Sequence, residues 1–231
     1  MMSAVIQIKD LSFSYSAGGK PVLQIPHLTI NKNETVFLFG PSGSGKTTLL
    51  EILAGVITGQ NGDVEMLGQK TQSMSLSERD HFRSEHIGYI FQQFNLIPYL
   101  TAKENILLPF TFSGKKMDQA LYDKVVTELG LSEHIEKLAT QLSVGQQQRV
   151  AAARALVAKP EIILADEPTS ALDYDHRENF LKILFSLVRA QGSTLIFVSH
   201  DRSIQNLFER HLNLADVNVD LPSADPSAVK V

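Results

Sequence analysis

Residues Gly40–Thr47 read GPSGSGKT. Four free positions separate the first glycine from a Gly-Lys-Thr, the spacing of a phosphate-cradling P-loop. An apolar run, Thr35–Phe39 (TVFLF), leads into it, and a helix-compatible stretch, Thr47–Ala54 (TTLLEILA), follows. The pattern needs this strand–loop–helix context. Far downstream, Ile162–Glu167 (IILADE) reads as a second buried strand that ends in two acids. Between them lies Leu142–Arg149 (LSVGQQQR).

A triphosphate is densely anionic. Glycines at 40, 43 and 45 let backbone N–H groups converge on it without Cβ clashes, and the following helix points its positive end there. Gly40, Pro41, Ser42, Gly43, Ser44, Gly45, Lys46, Thr47 and Thr48 are therefore the candidate phosphate-binding residues. Lys46 would reach the β and γ phosphates, and the Thr47 hydroxyl would ligate Mg²⁺. Asp166 ends a buried strand beside this loop, the place for a carboxylate that holds Mg²⁺. Glu167, one residue on, can accept a proton from an attacking water. The plainer alternative is that both acids cap the helix after Pro168.

Composition bounds the rest. The chain has 231 residues, 43% hydrophobic and 20% charged, with a net charge of −4 and no cysteine. That suits one large globular domain and gives no basic excess of the kind nucleic-acid surfaces carry. Disulfides and thiol chemistry are excluded. The start, MMSAVIQIKD, lacks the basic-then-apolar pattern of a secretory signal. No apolar run approaches the ~20 residues that cross a bilayer.

Strands are predicted at Val5–Phe13, Val22–Ile30, Thr35–Phe39, Gly62–Leu67, His86–Phe91, Ile162–Ala165, Thr194–Val198 and His211–Leu214. Helices are predicted at Ser77–Arg83, capped by Ser77; Ala102–Leu108; Lys116–Leu129, closed by Gly130; Ser143–Lys159; and Tyr174–Ala190, closed by Gly192. Ser132 reads as a further cap. Strand alternating with helix argues for an α/β fold with a mainly parallel sheet, interrupted by a largely helical block. The tail from about 216 to 231 has two prolines and no periodicity and reads as loose.

In LSVGQ, Ser143 fits a helix N-cap and Gly145 lets backbone approach a ligand. A simple capped helix fits as well. Taken together, however, GPSGSGKT, LSVGQ, ILADEPTSALD and FVSH, in this order, resemble an ATP-binding cassette (ABC) ATPase over roughly residues 5–215. The resemblance implies one nucleotide-binding domain over 1–231: a P-loop NTPase core, an N-terminal antiparallel β subdomain and an α-helical subdomain at about 93–159. It implies that two cassettes, as a homodimer, sandwich two ATP molecules head to tail. Ser143, Gly145 and Gln146 would then serve the partner's ATP, and Asp173 would lie in the loop that crosses the interface. Tyr15 matches the aromatic residue that stacks on adenine. Gln92 matches the glutamine that contacts Mg²⁺ and water. His200 matches the histidine that contacts the γ-phosphate. The family pattern is usually LSGGQ, and Val144 departs from it.

The segment Ile87–Ile106 further resembles macrolide-exporter and lipoprotein-releasing ATPases, with polar amino-acid importers also similar. This implies a transport ATPase, peripheral on the cytoplasmic face of the inner membrane, that drives a separate membrane permease. Phe91–Phe112 would help form the groove that receives the permease, with Phe94, Leu96, Ile97, Tyr99 and Leu100 as apolar contacts; core packing is the alternative for those residues. No nucleic-acid partner is expected.

Overall fold

The computed structural model describes residues 3–16, 18–59, 61–170 and 172–219. In chain order the strands and helices are β1 Ala4–Phe13, β2 Leu23–Asn31, β3 Thr35–Phe39, α1 Lys46–Leu53, β4 Asn61–Met66, β5 Gln69–Lys70, α2 Leu76–His86, β6 Ile87–Ile90, α3 Ala102–Ser113, α4 Gln119–Glu128, α5 Val144–Leu156, β7 Ile162–Asp166, α6 Tyr174–Gln191, β8 Thr194–Val198, β9 Arg210–Asn213 and α7 Leu214–Val217.

Two sheets form. One is antiparallel, in the order β2-β1-β4-β5; the other is parallel, in the order β6-β7-β8-β3-β9. Strands β7 and β8 are buried at every position, as expected for a parallel sheet covered on both faces. Side-chain alternation along these strands divides the core in two. Ile162, Leu164, Ile196 and Val198 face α1 and the antiparallel sheet. Ile163, Ala165, Leu195 and Phe197 face the helical side, with Phe180, Leu184 and Val150. Phe37, Phe180 and Phe197 are among the largest fully buried side chains. Each such ring contributes about 1.5–3 kcal/mol of burial.

Several boundaries differ from the sequence reading. The cap of helix α2 stands two residues earlier than expected, at Ser75: the Ser75 hydroxyl accepts from Glu78 N at 3.3 Å, and the Glu78 carboxylate accepts from Ser75 N at 2.7 Å. Glu78 stands three residues after Ser75, the spacing a reciprocal cap needs, so Ser77 is not the cap. Helix α3 runs through Pro109 to Ser113 and ends at Gly114, φ 66. Packing on α2 and α5 outweighs the lost proline N–H. Ser132 starts no helix; residues 132–136 form turns, including His134 N to Leu131 O at 2.8 Å.

Residues 216–219 of the expected loose tail are tied down. Asn218 accepts from Gln24 N at 2.7 Å and donates to the Val22 carbonyl at 2.9 Å. The remainder of that tail, 220–231, lies outside the described residues.

Helix α5 lies against β6 at Gly88. A Cβ there would stand 2.2 Å from the Ala155 carbonyl oxygen. Gly88→Ala is expected to destabilise the protein by about 1–3 kcal/mol, because either α5 or β6 must shift. Urea unfolding measures this; an unchanged midpoint would mean that α5 sits farther from the sheet.

Candidate nucleotide site

The parallel register sets the site. Leu38 pairs with Val198, and Val198 pairs with Asp166, so β3, β8 and β7 end level with one another. Ile90 pairs with Ala165, which brings the end of β6 alongside. The loops that leave these four strands carry the P-loop, His200, the two acids and Gln92. They meet around a cavity of about 530 Å³ lined by Tyr15, Val22, Ser42, Gly43, Gly45, Lys46, Thr47, Thr48, Gln92, Asp166, Glu167 and His200.

The loop is built for an anion. Gly43 and Gly45 have φ of 75 and 95, a region that disfavours any residue with a Cβ. At Gly45 a Cβ would also press on Leu23 Cδ2 at 2.8 Å. Helix α1 has no side-chain cap, whereas Ser75, Thr101, Asp118, Ser143 and Asp173 cap the other long helices. Its first amides are thus left for a ligand. The Ser44 hydroxyl is buried and unpaired among the described residues.

Lys46 folds back on its own loop, donating to the carbonyls of Gly40 at 3.0 Å and Pro41 at 2.8 Å. Burial pushes its ammonium pKa down, against the pull of Glu167 and Asp166. Thr47 Oγ1 donates to Asp166 Oδ2 at 2.9 Å, joining the start of α1 to the end of β7. Asp166 is only 6% exposed. Burial raises its pKa, opposed by the Thr47 hydroxyl, Lys46 and His200.

Glu167 has φ 48, a left-handed conformation unusual for glutamate, held by its N–H to the Val198 carbonyl at 3.0 Å. Its carboxylate meets His200 Nε2 at 2.8 Å. Burial raises the Glu167 pKa, and His200 works against the rise. Tyr15 is 68% exposed at the rim, with its hydroxyl 2.8 Å from Thr48 Oγ1 and its ring edge-to-face with Phe13. Gly40, Pro41 and Ser44 do not line the cavity. Gly40 and Pro41 supply the carbonyls that hold Lys46, and Ser44 is buried.

The donor set is oxygen-rich and small, which suits a hard cation sharing its ligands with phosphate and water. Among the described residues, no three His, Cys, Asp or Glu side chains group to hold a metal by themselves.

Ser143, Gly145 and Gln146 are not at this cavity. They line a second one of about 460 Å³ with Asp173, His134 and His176, and no residue borders both. Ser143 caps α5 reciprocally with Gln146: Gln146 N donates to Ser143 Oγ at 3.3 Å, and Ser143 N donates to Gln146 Oε1 at 2.9 Å. Val144 stands exposed at the mouth. Sequence spacing missed Val22, His134 and His176. Only His176 left a signal, three residues after the cap Asp173 on which its ring sits at 2.7 Å.

A third, apolar groove of about 490 Å³ is lined by Tyr89, Phe91, Leu108, Pro109 and Phe112, with Arg83 and Arg154. Phe94, Leu96, Ile97, Tyr99 and Leu100 do not line it. Leu96 packs on the core, and Arg154 clamps the loop through the Phe94 and Asn95 carbonyls at 2.6 and 2.7 Å.

Comparison with known proteins identifies the family. Residues 23–170 match the family model described as ABC transporter. The chain is 38% identical to the uncharacterized ABC transporter ATP-binding protein YbbA of Escherichia coli K12, over 92% of this chain and 95% of that one. It is 37% identical to the lipoprotein-releasing system ATP-binding protein LolD of Psychrobacter arcticus, over 92% and 96%. It is 38% identical to the macrolide export ATP-binding/permease protein MacB of Mannheimia succiniciproducens, over 92% of this chain and 33% of that one. A dimeric, post-hydrolysis structure of the ATP-binding cassette MJ0796 with ADP and Pi superposes with TM-score 0.82 at 36% identity, covering 90% of this chain and 93% of that one. The chain belongs to the ABC transporter family, as an ATP-binding and ATP-hydrolysing subunit.

Proposed function

We propose that two copies of this chain close on two ATP molecules and, by hydrolysing them, drive a membrane permease of exporter or lipoprotein-releasing type. The observation that carries the catalytic reading is the convergence of Lys46, Thr47, Asp166, Glu167 and His200 on one cavity at the strand ends. The names of the relatives LolD and MacB support the transport class. No helix among the described residues is long and apolar enough to cross a membrane, so in this reading the permease spans the bilayer and the cassette sits on its cytoplasmic face.

In this reading Lys46 exchanges its loop carbonyls for β- and γ-phosphate oxygens. Thr47, Asp166 and Gln92 are the residues that would hold Mg²⁺, which when bound neutralises charge on the phosphate oxygens. Glu167 accepts a proton from water as the water oxygen bonds to the γ-phosphorus. The bond from that phosphorus to the bridging oxygen breaks, and ADP and phosphate leave. His200 holds the Glu167 carboxylate and the γ-phosphate in line. The Tyr15 ring offers adenine a stacking face. Ser143, Gly145 and Gln146 of the second copy close over the γ-phosphate, with the amides at the start of α5 as donors.

Glu167→Gln is expected to bind ATP, lose turnover by about 100-fold or more and elute as a dimer with ATP alone. Size-exclusion chromatography with a steady-state phosphate assay reads both; wild-type turnover would remove Glu167 from its role. Acidification has a definite sign. Burial raises the Glu167 pKa, so the base form, and kcat with it, is lost from a pH above the ordinary carboxylate value of 4.5. His200→Ala removes an opposing charge and shifts this acid limb to still higher pH. A kcat–pH profile of both proteins checks the direction, and a shift to lower pH counts against the pairing.

Phe112 is exposed at the apolar groove. Phe112→Glu should abolish co-purification of an integral-membrane protein from detergent-solubilised cells while the circular dichroism spectrum is retained. Undiminished recovery would place the permease contact elsewhere.

A further inference from the structure

The two cavities are joined inside one chain by an ion pair. Arg177, on the first turn of α6, donates through Nη1 to Asp201 Oδ2. Both residues are partly buried, with side chains 20% and 32% exposed. Asp201 follows His200 directly. Its other carboxylate oxygen accepts from Ser203 N at 2.9 Å, and its own N–H donates to Ser199 Oγ at 3.1 Å, which fixes the turn that carries His200. The guanidinium of Arg202 lies 4.7 Å above the Phe39 ring and braces the same turn on the strand before the P-loop.

At the other end, Arg177 N donates to the carbonyl of Asp173 at 3.0 Å, and the Asp173 side chain accepts from His176 N at 3.0 Å. Asp173 lines the cavity of the LSVGQ segment. A continuous chain of bonds therefore runs from Asp173 through the first turn of α6, Arg177 and Asp201 to His200 and the Glu167 carboxylate.

We infer that the Arg177–Asp201 pair is a positioning device for hydrolysis, which sets the His200 turn against Glu167 according to the position of the Asp173 cap. This rests on the reading of Glu167 and His200 given above. When a second copy engages Asp173, the first turn of α6 is held, and the ion pair passes that placement to the histidine. Arg177 and Asp201 do not themselves line the nucleotide cavity, so their effect falls on kcat and not on ATP affinity.

The test is a double-mutant cycle on the full chain with Arg177→Ala and Asp201→Asn. Asparagine keeps an acceptor for Ser203 N and removes the charge. Each single variant is expected to lose about tenfold in kcat at unchanged KM for ATP and near-unchanged thermal midpoint. The double variant should lose about the same tenfold, because the two residues act as one. The exchanged pair, Arg177→Asp with Asp201→Arg, should recover part of the loss. Losses that multiply, unchanged kcat in the single variants, or a KM rise that tracks a lowered thermal midpoint would each overturn the inference. Glu167→Gln measured alongside separates the two claims. If it abolishes turnover while Arg177→Ala does not affect it, only the positioning role fails. If it leaves turnover intact, the catalytic reading fails by itself.

Discussion

The level ends of four parallel strands are the constraint on which the site depends. Leu38, Val198 and Asp166 lie in one row of the sheet, with Ala165 and Ile90 one step behind. Parallel strands in a doubly covered sheet bring their C-terminal ends to one edge, and the loops that leave that edge must share a crevice. A register slip of one residue in β7 would turn Asp166 to the opposite face and bury a carboxylate in aliphatic side chains. Ile162–Ala165 and Leu195–Val198 are apolar and buried at every position, so such a slip would have to repack both faces of the sheet at once. Sheet packing thus fixes where the charges stand. The Thr47–Asp166 hydrogen bond then joins the start of α1 to the end of β7, 119 residues away in sequence.

The reach of the sequence reading follows from the range of the interactions concerned. The P-loop, the acids at 166 and 167 and the strands at 35–39 and 194–198 were legible because each is set by neighbours within a few residues. The sequence reading put the cap at Ser77, although Glu78 stands three residues after Ser75 and so made the Ser75 cap legible. The expected helix Ala102–Leu108 stopped one residue short of Pro109, whose cost is local, whereas the packing of α3 on α5 that carries the helix on to Ser113 is not. Asn218 was invisible: its partners, Gln24 and Val22, lie 194 and 196 residues away, and no spacing rule connects them. Phe91–Phe112 was the expected groove segment, and Phe91, Leu108, Pro109 and Phe112 do line a groove; within it Phe112 lies beyond the expected end of the helix, while the more conspicuous Leu96 packs on the core.

Electrostatics gives the nucleotide cavity its direction of response. Burial is the largest cause of three shifts there: Asp166 and Glu167 are pushed up, and Lys46 is pushed down. Lys46 partly offsets the rise at both acids and they offset its fall, whereas Asp166 adds to the rise at Glu167. The sign for stability follows. A carboxyl whose folded pKa is raised favours the fold below its unfolded pKa, and that contribution is lost as pH rises through the folded value. At neutral pH the two acids thus oppose folding, a cost that a cation held at Asp166 would relieve. In that reading binding and stability would be coupled through Asp166.

The separation of the two cavities carries the last step. Among the described residues, the P-loop cavity has donors for phosphate, an acid pair and a histidine, but no contribution from Ser143, Gly145 or Gln146. The cavity at those three residues has amides at a helix start and no lysine. Each holds what the other lacks, and the rigid sheet keeps them apart within one chain. In the proposed reading, a second copy related by a two-fold axis between the cavities would bring its LSVGQ segment over this P-loop, and the same operation would complete the second site. An isologous contact of this kind needs no new surface beyond what one chain already displays. Two nucleotides buried in such an interface would then be its principal adhesive, and their hydrolysis would remove it.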